Sequence, residues 1–165
     1  MTFNAPPIEI ERHGSTYTLT TEQWLPRSLD ELFPFYADAY NLERITPPIL
    51  RFRVITPRPI EMKAGALIDY RLRLRGLPIR WRTRIAAWEP PYRFFDEQIR
   101  GPYRLWYHQH TFEERDGGTL VRDQVDYRML FGRLAHPLIV GRDVRRIFAF
   151  RSQALAEIFG RDAAA

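Results

Sequence analysis

From Phe52 to Arg128 apolar and polar residues alternate. Turn signals break the alternation at Pro57-Arg58-Pro59, Gly65, Gly76-Leu77-Pro78, Pro90-Pro91, Gly101-Pro102 and Asp116-Gly117-Gly118. A period of two with turns at this spacing predicts six antiparallel strands in meander order. Directly after them, Val140, Val144, Ile147, Phe148, Leu155, Ile158 and Phe159 form a helical stripe over Leu138 to Phe159, with Pro137 before it and Gly160 after it. A sheet with one apolar face and a helix with one apolar stripe must bury each other, so the sheet is expected to curl around the helix.

Upstream, TYTLTTEQW (16–24) reads as a further strand. Ser28-Leu29-Asp30-Glu31 is a capping box that starts a helix, and Pro34 inside it means that the helix is either short or broken at Phe33. A second short helix, AYNLERIT, runs to the Pro47-Pro48 stop. The expected fold class is therefore α+β: a curved antiparallel sheet of about seven strands, a long C-terminal helix, and two short helices after the first strand. Residues 1–15 read as a flexible segment, and 16–160 as one domain with a single core, which suits a chain of 165 residues. The absence of cysteine excludes disulfides, zinc ribbons and thiol catalysis. No apolar run is long enough to span a membrane and the N-terminus lacks a leader pattern, so a cytoplasmic protein is expected.

This order, with particular segments in it, resembles the START-like (SRPBCC) helix-grip superfamily of polyketide cyclase/dehydrase-like proteins and lipid-transfer domains. The segments are Asn41-Leu42-Glu43-Arg44-Ile45-Thr46-Pro47-Pro48, Ile68-Asp69-Tyr70-Arg71-Leu72, and FFDEQIRGPYRLWYHQHTF from Phe94 to Phe112. Asp123, Val125, Tyr127, Phe148 and Arg151 continue the pattern. The resemblance implies a ligand-binding domain with a cavity between sheet and last helix. It also leads us to place Asp96 and Gln98 inside, since the local sequence admits either register.

Two hairpins carry facing information of their own. A turn at Gly76-Leu77-Pro78 pairs Arg75 with Arg80, Arg73 with Arg82 and Arg71 with Arg84 on an outer face, leaving Tyr70, Leu72, Trp81, Thr83 and Ile85 inside. That arginine face reads either as a solvated surface on an arginine-biased chain or as an anion-binding patch; the first is preferred because no aromatic residues interleave. The net charge of +5, in which every basic residue but Lys63 is arginine, is discounted in the same way, so nucleic acid is not an expected partner and membrane contact is a minor option.

In the second hairpin, closure at Arg115-Asp116-Gly117-Gly118 pairs Phe112 with Val121, His110 with Asp123, His108 with Val125 and Trp106 with Tyr127. Two histidines then point inward beside a carboxylate. Three chemistries compete for them: a metal held by His108, His110 and Asp123; acid–base catalysis by His110 and Asp123 with His108 assisting; or satisfied polar groups in a half-polar pocket. Arg151 lies on the inward stripe of the last helix, where it needs an acidic partner, an acidic ligand group or a route to solvent.

The sequence leads us to expect binding of a small hydrophobic or aromatic molecule, lipid or polyketide-like, against Tyr70, Trp81, Asp96, Gln98, Trp106, His108, His110, Phe112, Tyr127, Phe148 and Arg151. No cofactor and no metal are expected. A cyclase or dehydratase using His110, Asp123 and His108 is the alternative. The phosphate loops and nucleophile elbows of nucleotide and serine enzymes are missing, and Ser15, Ser28 and Ser152 fall in a tail, a cap and a helix.

Overall fold

The computed structural model describes residues 6–129 and 140–160. Eight strands form one antiparallel sheet: β1 (Ile8–His13), β2 (Thr16–Leu25), β3 (Arg53–Val54), β4 (Leu67–Leu74), β5 (Leu77–Glu89), β6 (Arg93–Arg100), β7 (Leu105–Arg115) and β8 (Gly118–Arg128). Their order is β1-β2-β8-β7-β6-β5-β4-β3, so the N-terminal hairpin joins the meander beside its last strand. Helix α1 (Leu29–Tyr36) follows β2, and α2 (Gly141–Phe159) closes the described chain. This is the α+β helix-grip architecture.

The segment read as flexible contains β1, which pairs with β2 from Ile8↔Thr21 to His13↔Thr16. Its alternation, Ile8 and Ile10 against Glu9 and Glu11, is a strand signal overlooked beside Pro6, Pro7 and Gly14. The sheet consequently has eight strands rather than about seven. Of the two alternatives at Pro34 the helix takes the first: it is short, eight residues, and unbroken, the buried stripe Leu29, Leu32, Phe33 and Tyr36 carrying it through the proline to Tyr36. The capping box forms, with Ser28 Oγ accepting from Glu31 N–H and Glu31 accepting from Ser28 N–H. The second short helix is a 3-10 turn at Ala39–Glu43. Pro137, Leu138 and the residue after them lie outside the described residues.

The β4–β5 hairpin closes tighter than expected, through Arg75-Gly76, both at positive φ (51° and 83°). Arg71 therefore faces Arg80 and not Arg84, Arg73 faces Pro78 and not Arg82, and Arg75, in the turn itself, is not opposite Arg80. The displacement is an even number of residues, so no side chain changes face. Carboxylates relieve much of the repulsion on the outer face, where Asp69 holds Arg82 at 2.7 Å and Glu97 holds Arg84 at 2.6 Å; Arg75, in the turn, is held instead by Asp143 in the first turn of α2 at 2.9 Å. The β7–β8 hairpin has the expected register throughout, closed by Asp116-Gly117.

Helix α2 does not cover the whole concave face. Val144 and Phe148 pack on Tyr17, Leu19, Val125 and Tyr127. Leu155 and Phe159 join α1, Leu25, Phe112 and Val121. The half of the sheet built by β4 and β5 is instead faced by the 3-10 turn and the segment after it. No helix among the described residues is long and apolar enough to cross a membrane.

Gly118 tests the join between these parts, because a Cβ there would run into the Leu25 carbonyl oxygen and the Trp24 ring. We expect Gly118→Ala to lower stability by about 1–3 kcal/mol in a urea titration, as overpacking does. An unchanged midpoint would mean that β2 and β8 are not held this closely.

Candidate functional site

Because α2 covers only one half of the sheet, a partly open cavity of about 170 Å³ remains. Ile68, Leu72 and Ile85 form its apolar floor; Tyr36, Leu42 and Ile147 face them from α1, the 3-10 turn and α2. Trp81, Tyr103 and Trp106 close one end, with ring centroids 4.8–5.7 Å apart. An apolar cavity of about 150 Å³ takes one benzene ring. The space therefore suits a ligand of about that size, or one part of a larger ligand.

The polar wall is formed by His108, His110 and Asp96, and Asp123 completes a buried cluster behind the histidines. β6, β7 and β8 are neighbours, with Asp96 opposite His108 and Asp123 opposite His110. The bonds run along the diagonals: His108 Nε2 lies 2.8 Å from Asp123 Oδ1, and His110 Nε2 lies 3.2 Å from Asp96 Oδ2. His110 Nδ1 is also 2.8 Å from Asp123 Oδ1, but this nitrogen has no aligned hydrogen bond, so the contact is electrostatic. The imidazole centroids are 3.8 Å apart, and each histidine is only 5% exposed. Phe94 stacks on His110 at 4.2 Å, and Phe148 meets His108 edge-on at 5.6 Å.

Burial would push both imidazoles toward the neutral form, and it succeeds at His108, aided by the charge of His110. At His110 burial is outweighed by Asp123 and Asp96, which raise its pKa. Burial acts against the Asp123 carboxylate too, yet the two imidazoles hold it well below the usual range. Beside the cluster, burial raises the Tyr36 phenol strongly, keeping it a neutral donor. The Tyr36 hydroxyl and Arg151 Nε are both buried without a hydrogen-bond partner among the described residues. Arg151 instead lies over the Phe148 ring at 4.7 Å.

Of the residues singled out from the sequence, Tyr70, Trp81, Asp96, Trp106, His108, His110 and Arg151 line the cavity. Five do not. Gln98 turns away to hold the β6–β7 turn through the Tyr103 backbone, at 2.7 and 3.2 Å. Phe112 is enclosed by Phe33, Tyr36 and Phe94. Tyr127 is covered by Tyr17, Tyr103 and Trp106, and Phe148 lies behind His108. Asp123 lies behind both histidines and is absent from the cavity wall. Facing was thus legible, but depth was not: the covering part of α2 shields the β8 half. Tyr36 was missed although the stripe Leu29, Leu32, Phe33, Tyr36 already placed it inward; Tyr103 sits in a turn and gives no periodic signal.

The fold and its wall place the molecule among helix-grip proteins. The sequence matches the model for the polyketide cyclase/dehydrase and lipid transport family over residues 25–155, and the chain belongs to that family. Solved structures agree on the fold. Protein CV1439 from Chromobacterium violaceum is 12% identical with a TM-score of 0.70, over 88% of this chain and 98% of that one. Ginseng major latex-like protein 151 from Panax ginseng is 13% identical with a TM-score of 0.67, over 88% and 99%. Protein Ms6760 from Mycobacterium smegmatis is 19% identical with a TM-score of 0.66, over 93% and 98%. No curated protein matches the sequence.

Proposed function

We propose that this protein binds a small hydrophobic or aromatic molecule in the cavity, apolar body against β4 and β5 and polar end toward Tyr36 and Arg151. The observation that carries this reading is two buried donors, Tyr36 Oη and Arg151 Nε, without partners among the described residues, at a cavity whose lining is mostly apolar. Leaving such groups unsatisfied costs about 1–3 kcal/mol each, a cost that a ligand oxygen placed there removes. The family name, which joins polyketide cyclases to lipid transport, supports the same class of guest.

Native mass spectrometry of protein purified from its source tests this, with a ligand mass lost on denaturation as the expected result. A second arm addresses the polar end. Arg151→Leu should weaken 1-naphthoate binding about tenfold or more, on the scale of a lost charged hydrogen bond, while naphthalene binds as before. Equal loss for both compounds would place the polar end elsewhere.

The cyclase or dehydratase alternative gains less from the geometry. His110 has one nitrogen on Asp96 and the other against Asp123, so neither is turned to a substrate. Asp123 has no face on the cavity. Turnover of a poly-β-ketone that His110→Ala abolishes, with naphthalene binding retained, would reverse this preference.

A further inference from the structure

We propose that Asp96, His108 and His110 form a binding site for one divalent first-row transition metal ion, facing the cavity. The inference goes beyond ligand binding and does not depend on it.

Three observations carry it. First, one donor atom from each of the three side chains can be chosen so that all lie within 4.8 Å of one another. Asp96 Oδ2 is 3.2 Å from His110 Nε2 and 3.8 Å from His108 Nδ1. Ligands at about 2.0–2.2 Å from a zinc-like ion are separated by roughly 3.0–3.5 Å, so small side-chain rotations close the set. Second, Asp123 stands behind the histidines on the side away from Asp96. It takes the hydrogen bond of His108 Nε2 and lies 2.8 Å from His110 Nδ1, the nitrogens that the metal would not use. A carboxylate on the far nitrogen is the arrangement that fixes a metal-bound histidine's tautomer and ring orientation.

Third, both carboxylates are largely buried, and among the described residues their only side-chain ion pairs and hydrogen bonds are to imidazoles. Their two negative charges match one divalent cation. The metal option weighed from the sequence used Asp123 as the carboxylate, and no metal was expected; the register on β6 gives the ligand place to Asp96 and leaves Asp123 as support. Two imidazoles and one carboxylate suit Zn²⁺, Fe²⁺ or Co²⁺ over Mg²⁺ or Ca²⁺, and leave coordination positions open. Asp96, His108 and His110 all line the cavity, so those positions face it.

The test uses tag-free full-length protein, stripped with a chelator and titrated with Zn²⁺ by calorimetry and with Co²⁺ by visible absorption. One equivalent should bind, with a Co²⁺ d–d band showing nitrogen and oxygen ligands. His108→Ala and His110→Ala should remove the band. Asp123→Asn, which keeps the side-chain shape, should weaken Zn²⁺ about 10–100-fold, as loss of such a support does. His13→Gln, changing an exposed histidine beside Glu11, should bind as wild type. If an alanine variant does not fold, wild-type stoichiometry and Asp123→Asn decide. The proposal is overturned if wild type binds less than one equivalent under saturating Zn²⁺, if folded His108→Ala or His110→Ala keeps the band, or if Asp123→Asn binds with wild-type affinity. Naphthalene binding that persists without metal separates this proposal from the ligand-binding one.

Discussion

Replacing Asp123 by alanine is expected to lower stability by about 3–5 kcal/mol, the cost of removing one partner from a buried charged network. The carboxylate is 5% exposed and contacts both imidazoles, each of which is equally buried. Its removal leaves His108 Nε2 without an acceptor and takes away a charge that favours protonated His110. Asp126 is the matched control on the same strand. It faces outward and accepts from Thr18 Oγ1 at 2.7 Å, so Asp126→Ala should cost no more than about 1 kcal/mol. Chemical denaturation of the two variants measures the difference. Equal costs would mean that the cluster is not a buried network.

Phe148→Ala is the second large effect, expected at about 3–5 kcal/mol. Phe148 is 1% exposed and fills the contact between α2, His108 and the β8 side of the sheet. Arg151 rests on its ring, so the substitution also frees the guanidinium. The vacated volume adjoins the cavity wall through His108 and Arg151, and the variant should accept larger aromatic guests than wild type. Thermal unfolding with a size series of naphthalene derivatives checks both parts. A stability loss with no change in size limit would show that the helix collapses into the gap.

The sequence carried the sheet and its facing well where a turn left one choice. At Asp116-Gly117 the two-residue turn admits a single register, and every cross-strand pair from Trp106 to Glu114 follows from it. At Gly76-Leu77-Pro78 the proline drew attention from Arg75, whose left-handed backbone makes the actual turn. Facing survived because the displacement was even. Asp96 could not be placed by local pattern, since Phe94, Asp96 and Gln98 alternate with Phe95, Glu97 and Ile99 and the Gly101-Pro102 turn admits either register. Depth was the harder quantity. Phe112, Tyr127 and Phe148 face inward as expected, but which inward residues meet a cavity depends on where α2 and α1 rest, and alternation along a strand holds no record of that. The crosswise bonding of the histidines was likewise hidden: register sets Cβ neighbours, while rotamers choose the diagonal.

In the proposed function a small aromatic guest occupies the space over β4 and β5. The direct measurement is a titration with 1-naphthol, followed by quenching of Trp81 and Trp106, on wild type and on Leu72→Trp. Leu72 lies on the cavity floor opposite Ile79, so the larger ring fills space a guest would take. Saturable binding of one equivalent to wild type, weakened about tenfold or more in folded Leu72→Trp, is the predicted result; tenfold corresponds to about 1.4 kcal/mol. Absence of saturable binding to wild type, or equal binding to both proteins, would contradict the account.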